Sequence, residues 1–220
     1  MKIPKEWSFH NKDVADGFDS HVKEQLPWYE LATSVVAHIA RHYIPVGGIV
    51  YDLGASTGNI GRSISEILAS RGAIFYPIES SKEMCEKYNG PGKVENIDIR
   101  DLQIVPYDLC IAFLVFMFIP VNDRNKIIRD LKSKIKPGGA LIVFDKIVPA
   151  SGYISTILWR LTLAGKVLSG VPANDIIEKE LSLSGVQRPL SILELPGAIE
   201  CFRFGDFCGW IIEPEAVNNV

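Results

Sequence analysis

The stretch that decides the fold is YDLGASTGNIG at residues 51–61, in which a hydrophobic strand passes through a short glycine loop into a helix. The predicted strand covers 49–53, and the helix begins near Asn59. In an open α/β sheet, ligands bind beyond the carboxyl ends of the strands. Gly54 and Gly58 permit a tight turn and a close approach of a ligand to the backbone, and a helix N-terminus favours negative charge. The stretch predicts a ligand-binding loop; a purely structural turn is the alternative.

Predicted strands and helices alternate after this loop. Strands are predicted over 74–78, 93–97, 109–113 and 140–145, and helices over 60–69, 81–88 and 122–135. Such alternation is typical of a parallel sheet with helices on both faces. Two last strands, 198–204 and 207–213, are joined at Gly205-Asp206, a loop short enough for a β-hairpin. The sequence therefore predicts an α/β fold, Rossmann-like, with a seven-stranded, mostly parallel sheet and an antiparallel C-terminal hairpin.

The chain of 220 residues is expected to form one domain, 1–220, because this length suffices for a single large core. Residues 1–45 are expected to form an N-terminal helical cap, with a polar, partly mobile start and a helix over about 22–43. Two further helices, about 152–168 and 174–182, predict a helical insertion or lid over 151–185. The apolar stripe on the first of them is typical of core packing, a substrate lid or a homodimer surface.

Composition and targeting signals narrow the class of protein. Four cysteines are too few for a disulfide scaffold, and their spacing does not suit a metal site. The N-terminus has no signal-peptide core, and the longest apolar run is about twelve residues, whereas a membrane span needs roughly twenty. We therefore expect a cytoplasmic protein without a membrane partner. A net charge of −3 disfavours a broad nucleic-acid footprint, so a nucleic-acid partner is possible but not indicated.

Acidic residues stand at the next two strand ends. Glu79, followed by Ser80, ends the second predicted strand, and Asp98-Ile99 ends the third. A carboxylate at position 79 is suited to accept hydrogen bonds from a ribose diol, and each bond to a charged acceptor contributes roughly 1.5–3 kcal/mol. Asp98 is placed to accept a bond from an adenine amino group while Ile99 covers the ring. With the glycine loop, these strand ends predict a nucleoside site.

These motifs resemble those of the class I S-adenosylmethionine-dependent methyltransferases. The resemblance rests on DLGASTG at 52–58, Glu79 in YPIES, Asp98 in ENIDIRD and KPGGALIVFDK at 136–146, and it covers about residues 14–150 plus the final hairpin. It implies a Rossmann-like methyltransferase fold with S-adenosyl-L-methionine as cofactor. It also implies that the cofactor is bound by Asp52, Gly54, Ala55, Ser56, Gly58, Glu79, Ser80, Asp98 and Ile99.

Within that superfamily the chain is similar to the carboxy-S-adenosylmethionine synthases. The similarity runs through VADGFDSHVKEQLPWYE at 14–30 and CFRFGDFCGWI at 201–211, and Tyr29 matches a family tyrosine that approaches the cofactor. Two positions depart. Phe113 stands where that family has an asparagine at the end of strand four, and KELSLSG at 179–185 lacks the arginine that binds the extra carboxylate. The resemblance implies the same fold and cofactor site, with Phe113 beside the cofactor, but not the same reaction.

The sequence does not identify a catalytic residue. The end of strand four, AFLVFMF at 112–118, has no polar side chain and predicts an apolar wall. His21 and Tyr29 are candidates because they lie in the segment expected to close over the cofactor; for His21 the alternative is a packing role. Asp145-Lys146, at the end of strand five, either contacts the substrate or only provides a solvated polar end to the strand. For an anionic substrate the candidate residues are Arg160, Arg188 and Arg203.

Three functions remain open from the sequence. The favoured one is an S-adenosylmethionine-dependent methyltransferase with an unidentified small-molecule acceptor. The second is a carboxy-S-adenosylmethionine synthase-like enzyme that acts on S-adenosylmethionine and prephenate, so that the cofactor site also holds the carboxylated derivative. The third is a non-catalytic S-adenosylmethionine-binding protein, which the apolar end of strand four favours.

Overall fold

The computed structural model describes residues 3–148 and 152–214. Its strands are β1 Ile49–Leu53, β2 Ile74–Glu79, β3 Glu95–Asn96, β4 Tyr107–Phe113, β5 Ile135–Lys146, β6 Ile199–Phe204 and β7 Phe207–Ile212. Its helices are α1 Lys12–Gln25, α2 Tyr29–Tyr43, α3 Asn59–Arg71, α4 Lys82–Cys85, α5 Val121–Ser133, α6 Tyr153–Leu168 and α7 Ala173–Ser182. Short 3₁₀ turns cover Phe116–Phe118 and Ile192–Glu194.

The seven strands form one sheet in the order β3-β2-β1-β4-β5-β7-β6. The first five pair in parallel, whereas β7 runs antiparallel to both β5 and β6. The predicted α/β fold, a seven-stranded, mostly parallel sheet with an antiparallel C-terminal hairpin, is confirmed. The strand order reverses between β1 and β4, and the carboxyl ends of these strands therefore form the crevice in which such sheets bind ligands.

The centre of the sheet is apolar on both faces. Leu109 and Ile111 of β4 and Leu141 and Val143 of β5 are fully buried. Parallel strands covered by helices on both sides have nearly continuous apolar sequences for this reason. The long apolar run seen in the sequence is therefore core strand up to Phe113, and the part beyond it forms the 3₁₀ turn at the crevice.

The N-terminal region differs from the expectation of one helix after a mobile polar start. Two helices, α1 and α2, are separated at Pro27, which forces Leu26 out of the helical region (φ −129°, ψ 84°). The residues before α1 are also fixed by hydrogen bonds to other elements. Trp7 N donates to Ser182 O at 3.0 Å, and Ser81 Oγ donates to Phe9 O at 2.7 Å. This segment therefore links α7 to the start of α4.

Three other elements differ in length from their predicted bounds. The helix after β2 is only the single turn α4, because Gly90-Pro91-Gly92 follows shortly after it, and β3 is a two-residue edge strand. Strand β5 begins earlier than predicted, at Ile135, and the glycines near its start lie at a shift in the β4–β5 register. A Cβ at Gly139 would lie 2.6 Å from Asp108 O, so glycine is needed where the strands come together.

The two helices of the predicted insertion are present as α6 and α7. The predicted start of the insertion at 151 lies outside the described residues. Tyr153, Leu168 and Leu181 are exposed apolar side chains on this pair, and the function of the pair as lid or dimer surface stays a prediction. Over the described ranges 3–148 and 152–214, no helix is both long enough and apolar enough to cross a membrane.

Replacing Gly209 with alanine is expected to destabilise the pairing of β7 with β5. Gly209 pairs with Phe144, and a Cβ there would lie 2.6 Å from Phe144 Cε1. Overpacking of a dense core costs about 1–3 kcal/mol, which urea denaturation would measure. The Gly209→Ala, Phe144→Leu double variant should lose less stability than the two single variants lose together, because leucine leaves room for the added methyl group. Unchanged stability of the single variant would contradict the packing argument.

Candidate functional site

A cavity of about 380 Å³ opens beyond the carboxyl ends of β1, β2 and β4. Residues 7–10, α1, α6 and α7 complete its wall. The sequence-predicted residues that line it are His21, Tyr29, Gly54, Ala55, Ser56, Glu79, Ser80, Asp98, Phe113 and Lys146, whereas Asp145 does not line it. Asp52, Gly58 and Ile99 are not part of this wall. The sequence thus located most of one wall of the cavity.

The glycine loop forms the floor of the cavity and is fixed to β2. Gly54 has φ +69°, and a Cβ there would lie 2.6 Å from Val115 Cγ2. Ala55 N donates to Ile78 O at 2.9 Å, and Ser56 N donates to Glu79 Oε2 at 2.9 Å. Ser56 also has a positive φ of 50°, which is uncommon for a residue with a side chain. The loop is therefore held in a strained, tight conformation against the next strand end.

Glu79 is a buried carboxylate that is held in place by backbone donors. It is 7% exposed and accepts bonds from Ser56 N and from Ser81 N, the latter at 2.8 Å. Burial raises the pKa of Glu79, and the backbone N–H donors act in the opposite direction. Each carboxylate oxygen can accept more than one bond. Glu79 can therefore also accept hydrogen bonds from hydroxyl groups of a ligand in the cavity.

Asp98 lies on the same wall but is already paired. Arg100 Nε and a terminal nitrogen of Arg100 donate to its two oxygens at 2.9 and 2.7 Å. The hydrogen bonds from Arg100 outweigh burial and lower the pKa of Asp98. Arg100 itself lines the cavity and was not singled out in the sequence. The predicted adenine acceptor is thus half of an ion pair, and Arg100 presents further donors next to it.

The three predicted residues outside the wall have structural surroundings. Asp52 lies beneath the loop at 1% exposure, and Gly58, with φ +94°, caps α3 against Gly90. Ile99 packs partly against the main core and lines a separate small hollow with Leu102. None of the three lines the cavity. A cofactor contact by any of the three stays a prediction.

Asp52 should make stability fall as pH rises. Burial, followed by the charge of Glu79, raises the pKa of Asp52 to about 8 from 3.8, while the Gly61 backbone N–H acts in the opposite direction. Between these values the folded state binds more protons than the unfolded chain, so the free energy of unfolding falls with pH. Asp52→Asn should therefore show a shallower fall from pH 5 to pH 8 in urea denaturation. Equal slopes would contradict the assignment.

The wall beyond β4 is apolar, as the sequence predicted. Phe113 ends the strand, Leu114 follows with a positive φ of 62°, and Val115 also faces the cavity. The Tyr29 ring packs edge-to-face on Phe113 with centroids 5.5 Å apart, and burial raises the pKa of Tyr29. The neutral Tyr29 hydroxyl is thus a hydrogen-bonding group on a largely apolar surface.

The opposite wall is basic, which was not anticipated as a whole. Lys146, Lys166 and Lys179 all line the cavity. Of the arginines considered for an anionic substrate, none lines it: Arg160 and Arg188 are exposed elsewhere, and Arg203 pairs with Glu200. The three arginines predicted for an anionic substrate therefore lie outside this cavity. The sequence did contain a signal for this basic wall, because Lys166 interrupts the apolar stripe of α6 and Lys179 begins the KELSLSG stretch.

The fold and this site define a class. Residues 51–143 match the family model described as a methyltransferase domain. Two solved structures with the same fold are the plantazolicin methyltransferase BpumL in complex with SAH (TM-score 0.61, 13% identity, 93% of this chain and 90% of that chain) and the DhpI–SAH complex (TM-score 0.60, 16% identity, 96% of each). The chain is a transferase with the fold and domain of the class I S-adenosylmethionine-dependent methyltransferases.

Among named relatives, the chain is similar to carboxy-S-adenosyl-L-methionine synthases. It is 27% identical to the one from Staphylococcus epidermidis over 212 residues, which cover 94% of this chain and 92% of that protein. It is 26% identical to the one from Shewanella pealeana over 214 residues, which cover 93% and 88%. The similarity includes the N-terminal helices and the C-terminal hairpin as well as the methyltransferase domain.

Proposed function

We propose that the protein binds S-adenosyl-L-methionine in the cavity and transfers its methyl group to a small-molecule acceptor. The observation that supports this most strongly is Glu79, a buried carboxylate tied to the glycine loop at the point where the strand order reverses. Such a carboxylate suits a ribose diol, and the tight loop suits the close approach of a ligand to the backbone. A Cβ at Gly54 would already be too near Val115, so the loop fits closely.

The residues of the wall have separable tasks in this proposal. Glu79 would accept hydrogen bonds from the ribose hydroxyls, the backbone of 54–56 would contact the methionyl group, and Asp98 with Arg100 would face the adenine. The bound cofactor supplies an electrophilic methyl group on a sulfonium. Phe113, Leu114 and Val115 exclude water beside it, and alignment of two bound reactants can supply roughly 7–11 kcal/mol of a barrier.

Calorimetry and mass spectrometry test this function. We expect S-adenosylmethionine and S-adenosylhomocysteine to bind with one site per chain, and adenosine to bind more weakly because it lacks the methionyl group. Incubation with labelled S-adenosylmethionine and candidate acceptors should produce S-adenosylhomocysteine together with a labelled product. Failure of both S-adenosylmethionine and S-adenosylhomocysteine to bind would refute the proposal. Binding without turnover on any acceptor would favour a non-catalytic S-adenosylmethionine-binding protein.

A carboxy-S-adenosylmethionine synthase-like reaction with S-adenosylmethionine and prephenate is the second candidate. It is supported by relatives of that name, one of which aligns over 94% of this chain. Phe113 and the missing arginine in 179–185 count against it. The two reactions are separated by incubating the protein with S-adenosylmethionine, with and without prephenate. A carboxylated nucleotide that forms only with prephenate would support this candidate over methyl transfer.

We also propose a cytoplasmic location and a homodimer formed through α6 and α7. Four free cysteines are typical of a reducing compartment. Exposed Tyr153, Trp159 and Leu168 leave apolar surface on α6, and burial of such surface drives association. Light scattering would report the mass in solution, and Trp159→Glu should shift a dimer toward monomer.

A further inference from the structure

Three lysines from three different elements, two of them buried and one partly buried, meet at one end of the cavity. Lys146 ends β5, Lys166 belongs to α6 and Lys179 to α7; we refer to them as the lysine cluster. Lys166 and Lys179 are 5% and 8% exposed. Strand β5 lies three places from β2 in the sheet, which corresponds to about 14 Å. The lysine cluster is therefore distant from Glu79 and from the proposed nucleoside end.

The lysine cluster has more cations than carboxylates. Lys166 Nζ pairs with Glu180 at 2.9 Å, and Lys146 Nζ lies 3.6 Å from Asp206 and 3.9 Å from Glu180. Lys179 has no carboxylate within 4 Å among the described residues; its amine instead lies over the Trp7 ring. Because two carboxylates face three amines, full protonation leaves one positive charge unbalanced.

Two other buried polar groups on the same wall lack partners. His21 Nε2 and Gln25 Oε1, both from α1, make no hydrogen bond among the described residues, and both residues line the cavity. Buried polar groups are normally paired, so each unpaired one needs an explanation. With Lys179 they form three nearly buried, unmatched groups that face one space. A ligand with hydrogen-bonding oxygens would satisfy them.

The surroundings of Lys179 favour its uncharged form. Burial, followed by the charge of Lys166, lowers the pKa of Lys179 to about 5, while Glu180 opposes the shift. Burial, followed by Lys179, lowers the pKa of His21 to about 4. His10, Glu79, Asp98 and Arg100 also line the cavity, on its nucleoside side. Near neutral pH, Lys179 is therefore a neutral amine and His21 a neutral imidazole.

On the basis of the proposed function, we propose that the lysine cluster binds the carboxylate of the acceptor, and that Lys179 takes up one proton from solvent when it binds. The unbalanced charge of one matches a monocarboxylate rather than a doubly charged phosphate. Phe9, Phe118 and Leu183 on the same cavity wall provide an apolar surface for the rest of the molecule. The acceptor class is thus a small, mainly apolar monocarboxylic acid.

Benzoate and benzamide test this assignment on protein saturated with S-adenosylhomocysteine. We expect benzoate to bind at least tenfold more tightly than benzamide by calorimetry. Titrations at neutral pH in two buffers of different ionisation enthalpy should show uptake of up to one proton, and affinity should fall as the pH rises. Equal affinity for benzoate and benzamide, no binding of either, no proton uptake, or tighter binding of inorganic phosphate would each overturn the proposal.

Variants separate the lysine from general effects on the fold. Lys179→Met should lose the tenfold preference for benzoate while S-adenosylhomocysteine affinity stays within twofold. Lys179→Arg, which keeps its charge at all working pH values, should retain the preference but take up no proton. Lys126→Met, on an exposed surface, is the control. If the wild-type protein binds neither S-adenosylmethionine nor S-adenosylhomocysteine, the proposed function itself is refuted. If it binds them but shows no preference for benzoate, only the proposed carboxylate site is refuted.

Discussion

Replacing Glu79 with alanine is expected to weaken S-adenosylhomocysteine binding at least a hundredfold. The variant removes the buried acceptor that would bind the ribose diol. It also frees Ser56 N and Ser81 N, which hold the loop to β2. Each hydrogen bond to a charged group contributes roughly 1.5–3 kcal/mol, so the loss of two exceeds a hundredfold in affinity. Calorimetry with wild-type and variant protein measures the change directly.

The matched control for this prediction is Glu86→Ala. Glu86 is an exposed carboxylate seven positions further along the chain, so its removal changes the net charge equally. Nucleotide affinity should stay within about twofold in this variant. Glu79→Gln should lie between the two, because the amide keeps one acceptor oxygen but loses the charge. If circular dichroism shows that Glu79→Ala is folded and its affinity for S-adenosylhomocysteine is unchanged, the ligand binds elsewhere.

Replacing Arg124 with methionine is expected to lower the free energy of unfolding by about 3–5 kcal/mol. The Arg124 side chain is fully buried, its Nε donates to Ile119 O at 2.9 Å, and it lies 3.6 Å from Glu194. Its other nitrogens donate to the backbone oxygens of Arg188 and Pro189. Removal of one partner of a buried ion pair leaves the other charge uncompensated, which explains the size of the loss. Urea denaturation measures it.

Two further variants define the source of that loss. Arg129→Met, on the exposed side of the same helix, should change stability by no more than about 0.5 kcal/mol. Adding Glu194→Leu to Arg124→Met should restore part of the stability, because no unpaired carboxylate remains. A loss below about 1 kcal/mol in Arg124→Met would show that water replaces the guanidinium. Gln187 lines the cavity and directly precedes Arg188 and Pro189, whose backbone oxygens accept hydrogen bonds from Arg124. The Arg124→Met variant should therefore also weaken acceptor binding.

The sheet and its nucleoside end were predictable because their signals are local. Strand and helix periods alternate along the chain, and acidic residues such as Glu79 stand directly at strand ends. Glycine at position 54 also indicated the loop, since a positive φ and close packing are requirements that few other residues meet. Boundaries were less accurate where local and tertiary effects compete. Pro27 divides the predicted N-terminal helix, and β5 begins at Ile135, the last residue of the helix predicted over 122–135.

The basic end of the cavity was not predictable in the same way. Lys146, Lys166 and Lys179 lie on three elements that come together only through the order of β5, β7 and the two added helices. Burial also cannot be read from residue type: Arg160 and Arg188 are exposed, whereas Arg124 is inside. The same limitation applies to Asp98, whose pairing with Arg100 depends on the conformation of the short loop after β3.

The sequence by itself determined the fold class and the glycine loop with its neighbouring carboxylate, because periodicity and backbone restrictions act over a few residues. Only the tertiary structure decided which charged side chains face the cavity and which remain without a partner. Desolvation and pairing depend on all elements packed around a group. Asp52 and Glu79 show this difference: both are acidic residues at strand ends, yet one lies under the loop and the other lines the cavity.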